Sequence, residues 1–190
     1  MRTSWFAAAV CVLSMFVSAP AAAQSLGAGV SFLGDERGPG FLVDYSSPLA
    51  KQSGGATLGW VGEFGFNHKG FGSNFAGVSG GVTTIMAQAG LRLSGAASSK
   101  VSWQAQGVAG IMRTSFGFDA AGTSKAVCDA FDIDCSASAS DTGGVLTVGG
   151  GLQYAFSDTK ALRGQLDFPI AIASDGGSTT RFAIMLVFKR

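Results

Sequence analysis

The chain has 190 residues, a length that allows one domain or two very small ones. Only 13% of its residues are charged, about half the ~25% that is usual for soluble domains, and 29 are glycine. The formal net charge of +1 shows no basic excess, so we expect no nucleic-acid partner. Because the sequence carries no zinc signature, P-loop or dinucleotide-binding glycine motif, we also expect no cofactor and no metal centre.

Residues 1–23 have the pattern of a secretory signal peptide. They begin with a short basic start, continue with an apolar stretch, and end in a run of small residues that fits a cleavage site. We expect cleavage before Gln24, which leaves 24–190 as one exported domain. The alternative is an N-terminal membrane anchor, but the apolar core is short and Pro20 interrupts it. Removal of this segment leaves two cysteines and, because Arg2 is lost, no formal net charge.

The rest of the sequence alternates between apolar and polar residues with the period of two that is typical of β-strands. In the clearest segment, one face carries Ile85, Ala87, Ala89, Leu91 and Leu93, and the other carries Met86, Gln88, Gly90 and Arg92. Similar alternation recurs in 26–32, 41–46, 58–66, 101–109, 145–156, 161–172 and 182–188. The sequence therefore predicts eight strands of about 8–12 residues, separated by Gly/Ser/Asp-rich connections, and no transmembrane helix.

The predicted connections alternate in length. Those at 94–100 and 157–160 are short, and those at 67–81 and 117–143 are long. This asymmetry is typical of outer-membrane barrels, which have short periplasmic turns and long external loops, although 46–56 is longer than a periplasmic turn should be. The predicted fold class is all-β, an eight-stranded antiparallel transmembrane up-and-down β-barrel that follows a cleaved signal peptide.

The composition of the polar face favours a membrane barrel over a soluble, lipocalin-like barrel whose apolar face lies inside. A soluble surface would be rich in lysine, whereas this face is sparse and balanced in charge. Its charged residues are Asp44, Glu63, Arg92, Arg163 and Asp167. Carboxylates and arginines among glutamines suit a closed, hydrogen-bonded lumen, so we expect a polar network there. Glu63 and Arg92 should interact across neighbouring strands, directly or through a network shared with Arg163 and Asp167.

The aromatic residues of the apolar face fall at two levels if the N-terminus is taken as periplasmic. The lower level consists of Tyr45, Trp60, Trp103, Tyr154, Phe156 and Phe188. The upper level consists of Phe32, Phe41, Phe66, Phe116 and Phe182. Two aromatic girdles are typical of a barrel that faces lipid, so we expect outer-membrane lipid to surround this one.

These features together resemble the small outer-membrane β-barrel family, OmpA-like or porin-family in its transmembrane part. The resemblance covers 24–190 and includes the final strand, Arg-Phe-Ala-Ile-Met-Leu-Val-Phe at 181–188. It implies a location in the outer membrane and recognition of the C-terminal strand by the barrel-assembly machinery. Family members usually end on an aromatic residue, whereas Lys189 and Arg190 follow Phe188 here. The sequence contains no peptidoglycan-binding domain, so we expect no tether to the cell wall.

Cys128 and Cys135 are the two cysteines of the predicted mature chain, and both fall in the longest predicted outer loop. An even number of cysteines in an oxidising compartment favours a disulfide between them. The acidic residues between them are Asp129, Asp132 and Asp134. Because the spacing does not fit an EF-hand, we expect a solvated loop there, with a weak divalent-cation site as the alternative.

Candidate chemistry is limited to Gly77–Gly81, which matches the G-x-S-x-G pattern of hydrolases but precedes no predicted helix. We expect a non-enzymatic barrel with no catalytic residues, which contributes to envelope structure or to surface interaction through its external loops. A narrow porin-like transport barrel for small or apolar solutes is the alternative, and a lipid-modifying enzyme that uses Ser79 and His68 is less favoured. Eight strands enclose an interior that side chains can fill, so a wide pore is not expected.

Overall fold

A computed structural model describes residues 24–34, 38–51, 55–73, 78–120, 130, 136–172 and 177–190. The predicted signal peptide at 1–23, together with Cys128, Cys135 and the three acidic residues between them, lies outside these described residues. Among the described residues, no helix is long and apolar enough to cross a membrane.

Eight antiparallel strands form one closed barrel, as the sequence predicts. Each strand pairs with its neighbours in the chain, and the last strand pairs with the first. The strands are β1 (Ser25–Leu33), β2 (Gly38–Lys51), β3 (Thr57–Ser73), β4 (Val78–Ala96), β5 (Val101–Ala120), β6 (Ser136–Ala155), β7 (Lys160–Ala171) and β8 (Arg181–Lys189). The end that carries Ser25 and Lys189 is called the lower end here, and the opposite end the upper end.

The period-two pattern corresponds to burial along the strands. In β7 and β8, nearly every second side chain is buried in the lumen and the residues between them are exposed. In β4, the predicted division also holds, because Ile85, Ala87 and Ala89 are exposed whereas Met86 and Arg92 are buried. Alternation therefore assigns each side chain to the lumen or to the outside of the barrel.

A belt of exposed large apolar side chains surrounds the barrel. It includes Leu26, Val30, Phe41, Phe64, Leu91, Ile111, Leu152, Leu162, Phe168, Phe182 and Leu186, which are each between 38% and 61% exposed. A contiguous apolar surface that encircles a molecule is far larger than the patches that soluble monomers expose. It is the surface that a barrel presents to the hydrocarbon of a bilayer.

Strands β3 to β6 are longer than predicted, at 17 to 20 residues against 9 to 14 for the other four. Their additional residues continue beyond the upper end of the barrel as a four-stranded antiparallel sheet. This upper sheet consists of 68–73, 78–84, 112–120 and 136–143. The predicted loops at 67–81 and 117–143 are therefore wrong in part, because their flanks are paired strand.

The polarity of the upper sheet is the reverse of that of the barrel. Its outward face carries His68, Ser79, Thr83, Arg113, Ser115, Ser138 and Ser140, which continue the outward positions of the strands below. Its inner face, which continues the lumen side, carries an aromatic group in which Phe116 stacks on Phe71 with ring centroids 5.5 Å apart and lies 6.1 Å from Phe118. The prediction that Phe116 faces lipid is wrong, because β5 pairs with β4 without a bulge and keeps Phe116 on the inner face.

Candidate functional site

The centre of the lumen holds six buried charged side chains, each at most 5% exposed. They are Asp44 from β2, Glu63 from β3, Arg92 from β4, Arg163 and Asp167 from β7, and Arg181 from β8. Five of these were selected from the sequence, and the structure brings all five together with Arg181. Three carboxylates and three guanidinium groups make this lumen network neutral as a whole.

Asp44 lies between two of the arginines. Its Oδ2 atom is 2.5 Å from Arg92 Nη2 and 2.5 Å from Arg163 Nη1. Arg92 Nη2 also donates to Glu63 Oε1 at 3.3 Å, so the expected contact between Glu63 and Arg92 exists but is the longer of the two contacts that Arg92 makes with carboxylates. Asp44 is therefore the principal partner of Arg92.

Arg181 holds the other two carboxylates. Its Nη2 atom is 2.6 Å from Glu63 Oε2 and 2.7 Å from Asp167 Oδ2, and its Nε atom donates to Asp167 Oδ2 at 3.0 Å. The sequence analysis omitted this residue, although the alternation of β8 contains the signal. Phe182 and Ile184 were placed outside, which puts Arg181 and Ala183 inside.

Glutamine side chains connect the charged groups. Gln106 donates from Nε2 to Glu63 Oε1 at 2.7 Å, and its Oε1 accepts from Arg92 Nη2 at 2.6 Å. Gln165 donates from Nε2 to Asp167 Oδ2 at 2.8 Å. Hydrogen bonds of this kind satisfy the lone pairs and protons that an ion pair alone leaves unmet, which is what makes buried charge tolerable.

Glycines on the lumen side make room for these side chains. A Cβ atom at Gly27 would collide with Asp44 Oδ1, and one at Gly149 would collide with Asp167 Oδ1. Both glycines lie at inward positions of their strands, so any larger residue there would occupy the volume of the network. The absence of a side chain at these glycines therefore leaves the space that the charged side chains fill.

The expected lower girdle consists of side chains at the lower ends of their strands and on the outward face. They are Tyr45, Trp60, Trp103, Tyr154 and Phe188, and the sixth predicted member, Phe156, is exposed directly after β6. Tyr45 and Trp60 contact each other with ring centroids 5.1 Å apart, and Tyr154 is 49% exposed. Aromatic rings at this level suit the boundary between hydrocarbon and headgroups.

The pair proposed for a hydrolase is not assembled. His68 pairs with Thr83 in the β3–β4 ladder and its Nδ1 lies 2.9 Å from Thr83 Oγ1. Ser79 lies four residues before Thr83 in β4, which at ~3.4 Å per residue separates the two by about 14 Å. Ser79 is also in a strand and not in the strand-to-helix turn that this motif requires. Among the described residues, no cluster of three or more His, Cys, Asp or Glu side chains could hold a metal ion.

Comparison of the fold identifies its class as that of the small eight-stranded barrels of bacterial outer membranes. The barrel is similar to a major outer membrane protein from Thermus thermophilus, with a TM-score of 0.67 and 13% identity over 90% of this chain and 100% of that chain. It is also similar to Ail, the attachment invasion locus protein of Yersinia pestis, with a TM-score of 0.61 and 17% identity over 90% and 100% of the two chains.

A second structure of Ail, in complex with the heparin analogue sucrose octasulfate, is similar with a TM-score of 0.60 and 18% identity over 88% of this chain and 98% of that chain. No family model and no curated protein matches the sequence. At these identities the similarity concerns the fold, and function must be argued from this chain's own residues.

Proposed function

We propose that this protein is a non-enzymatic integral outer-membrane barrel that uses its upper sheet for interaction at the cell surface. The observation that carries the proposal is the combination of a closed, charge-filled lumen with a four-stranded sheet that stands beyond the apolar belt. The groups that a partner can contact then lie on the upper sheet, outside the barrel. The barrels from Thermus thermophilus and Yersinia pestis support the location, because both are described as outer-membrane or attachment proteins.

The lumen network supports a structural role over transport. Arg163 reaches Asp44 and Arg181 reaches Glu63 across the lumen, and Arg92 and Asp167 complete the same network. A solute would have to break several buried ion pairs to pass, and breaking one such pair typically costs about 3–5 kcal/mol. An eight-stranded barrel filled in this way does not suit a continuous diffusion path.

The upper sheet supports surface interaction because both of its lateral edges lack a strand partner among the described residues. The β2–β3 ladder ends at Asn67, and the β6–β7 ladder begins at Val145. Beyond these positions, 68–73 and 137–142 present backbone N–H and C=O groups on one side. Such edges, together with the exposed aromatic ring of Phe71, are surfaces that another chain can contact.

Labelling of lysines on intact cells tests location and orientation. Lys69 lies in the upper sheet, whereas Lys100 and Lys160 lie at the lower end. A membrane-impermeant amine reagent should modify Lys69 in intact cells and should reach Lys100 and Lys160 only after the outer membrane is permeabilised. Modification of the lower-end lysines in intact cells, or recovery of the protein in the soluble periplasmic fraction, would contradict the proposal.

Planar-bilayer recordings distinguish this function from the transport alternative. The purified barrel should give no stable stepwise conductance, because the lumen network closes the path. Steady ohmic channels from the wild-type barrel would favour the narrow transport barrel instead. The surface role is tested separately by adhesion of expressing cells to immobilised matrix protein. We expect the double variant Phe71→Ser/Phe116→Ser to reduce adhesion and Lys100→Gln/Lys160→Gln to leave it unchanged.

A further inference from the structure

The lower end of the barrel contains a second feature that the surface role does not use. Below the lumen network, the barrel opens into a cavity of 380 Å³, called the vestibule here. Arg92 and Arg163 form its floor, Ser46 and Ser94 lie in its wall, and Lys189 and Arg190 stand at its rim. The two residues that follow the last aromatic residue of β8 therefore line a concave site.

The charged side chains that line the vestibule are all cationic. Four of its described lining residues are cationic, namely Arg92, Arg163, Lys189 and Arg190, and the described lining includes no Asp or Glu. Arg92 and Arg163 belong to the neutral lumen network, so Lys189 and Arg190 at the rim supply the additional cationic side chains. Asp44, behind the floor, is shared by both arginines through a single oxygen. Cations gathered in a concave site with low-dielectric walls concentrate the field and attract anions.

Hydrogen-bond donors in and around the vestibule match an oxyanion. Arg92 is only 4% exposed, and its Nη1 atom has no hydrogen-bond partner among the described residues. Lys189 continues the inward positions of β8, two residues after the buried Val187, so its ammonium group belongs to the lumen side. Guanidinium, ammonium and hydroxyl groups are the donors that proteins use to bind phosphate oxygens.

The depth of the vestibule points to the lipid headgroup region. Trp103 is a member of the lower girdle and also lines the vestibule. Because aromatic girdles lie at the level of the headgroups, the vestibule opens at the depth where phospholipid phosphates are found. A dissolved phosphate and a headgroup phosphate can therefore both reach its rim.

We propose that the vestibule is a binding site for a phosphate group, which Lys189 and Arg190 capture at the rim and to which the serine hydroxyls donate in the wall. The group is either free phosphate or the headgroup of an anionic phospholipid in the adjacent leaflet. This inference does not depend on the surface role of the upper sheet. It gives a function to the basic residues that distinguish this C-terminal strand from one that ends on an aromatic residue.

The test uses the refolded barrel in a phosphate-free sugar detergent and titrates inorganic phosphate by calorimetry and by ³¹P nuclear magnetic resonance. The rim variant is Lys189→Gln/Arg190→Gln. The matched control is Lys100→Gln/Lys160→Gln, which removes the same charge from the same end but outside the vestibule. Heat-modifiable migration verifies that each variant is folded. The rim variant should weaken phosphate binding about tenfold or more, and the control should change it less than about twofold.

A competition arm identifies the source of the phosphate. Micellar phosphatidylglycerol should displace bound inorganic phosphate if the natural ligand is a lipid headgroup, whereas phosphatidylcholine should not. Failure of phosphatidylglycerol to compete, with phosphate still bound and still dependent on the rim, assigns the site to free phosphate. Absence of phosphate and phosphatidylglycerol binding by the folded wild-type barrel overturns the proposal. Equal weakening by the rim and control variants also overturns it, since general surface charge would then explain the binding.

Discussion

Arg181 Nη2 lies 2.6 Å from Glu63 Oε2, and this contact joins the last strand to the third strand across the lumen. The same guanidinium group contacts Asp167, so one arginine bridges two carboxylates that would otherwise repel each other in a buried space. Arg181 therefore connects β8 to the adjacent strand β7 and, across the lumen, to β3. The stability of the closed barrel should depend on these contacts.

Replacement of Arg181 by Met should be strongly destabilising. It leaves Glu63 and Asp167 buried without their main counter-charge, and removal of one partner from a buried ion pair typically costs about 3–5 kcal/mol. Urea unfolding in lipid bilayers measures the effect. Arg113→Met is the control, because Arg113 is exposed on the outward face of the upper sheet. A loss below about 0.5 kcal/mol for Arg181→Met would mean that the lumen network is not needed for stability.

Coupling within the network should follow the distances. Double-mutant cycles should give a larger interaction energy for Glu63 with Arg181, at 2.6 Å, than for Glu63 with Arg92, at 3.3 Å. Interaction energies of contacting residues typically fall between about 0.5 and 3 kcal/mol, so the two cycles can be resolved. A larger interaction energy for Glu63 with Arg92 than for Glu63 with Arg181 would show that Arg92 is the main partner of Glu63, contrary to the distances.

A charge placed on the outside should reveal the apolar belt. Ala89 is exposed at an outward position in the middle of β4, and Ala89→Arg should lower the unfolding free energy by about 2–4 kcal/mol in a bilayer. Ser79→Arg is the matched control, since Ser79 is an outward residue of the same strand in the upper sheet. That variant should lose less than about 1 kcal/mol. Equal tolerance of both arginines would refute the assignment of the lipid-facing surface.

Glycines of the two faces should respond differently to an added methyl group. A Cβ atom at Gly149 would collide with Asp167 Oδ1, so Gly149→Ala should destabilise the barrel by about 1–3 kcal/mol. Gly107 lies on the exposed face with no atom near its added Cβ, and Gly107→Ala should be neutral or slightly stabilising. Thermal or urea unfolding of the two variants in parallel makes the comparison.

The lower girdle can be located by fluorescence. Trp60 and Trp103 are the tryptophans of the described residues, and each can be left alone by a Trp→Phe change at the other. Lipids brominated near the headgroup should quench both more strongly than lipids brominated deep in the chain. Stronger quenching by deep bromines would mean that these rings lie inside the hydrocarbon and that the membrane boundary is lower than inferred here.

The strand number and the two faces could be predicted because a barrel strand repeats with period two and one of its faces must be apolar. The upper ends of the strands could not be predicted, because the upper sheet keeps the period of two while its outward face is polar and its inner face carries the aromatic residues. Segments such as 68–73 and 136–143, rich in Gly and Ser, have the composition of a loop. Phe116 was misplaced for the same reason, since it was assigned to the lipid-facing side, whereas the unbroken period of β5 puts it on the inner face.

The members of the lumen network could be selected by type, but their partners could not. Glu63 contacts Arg181, which is 118 residues away in the chain. That contact depends on the stagger of eight strands around the barrel, which no local pattern encodes. The neighbouring pair Glu63 and Arg92 could be anticipated, but the ion pair of Glu63 with Arg181 across the lumen is the shorter of the two.

The position of Arg181 at the start of β8 has a consequence for the order of assembly. Arg181 lies opposite Asp167 in the β7–β8 ladder, so these two residues can pair once that hairpin forms, whereas Arg181 reaches Glu63 of β3 only across the closed lumen. Closure of β8 against β1 therefore completes the backbone ladder and brings Arg181 to Glu63 in one event, so that an open barrel lacks both. The final strand therefore closes the barrel in two ways, because it supplies the last ladder of backbone hydrogen bonds and the guanidinium group that pairs with Glu63.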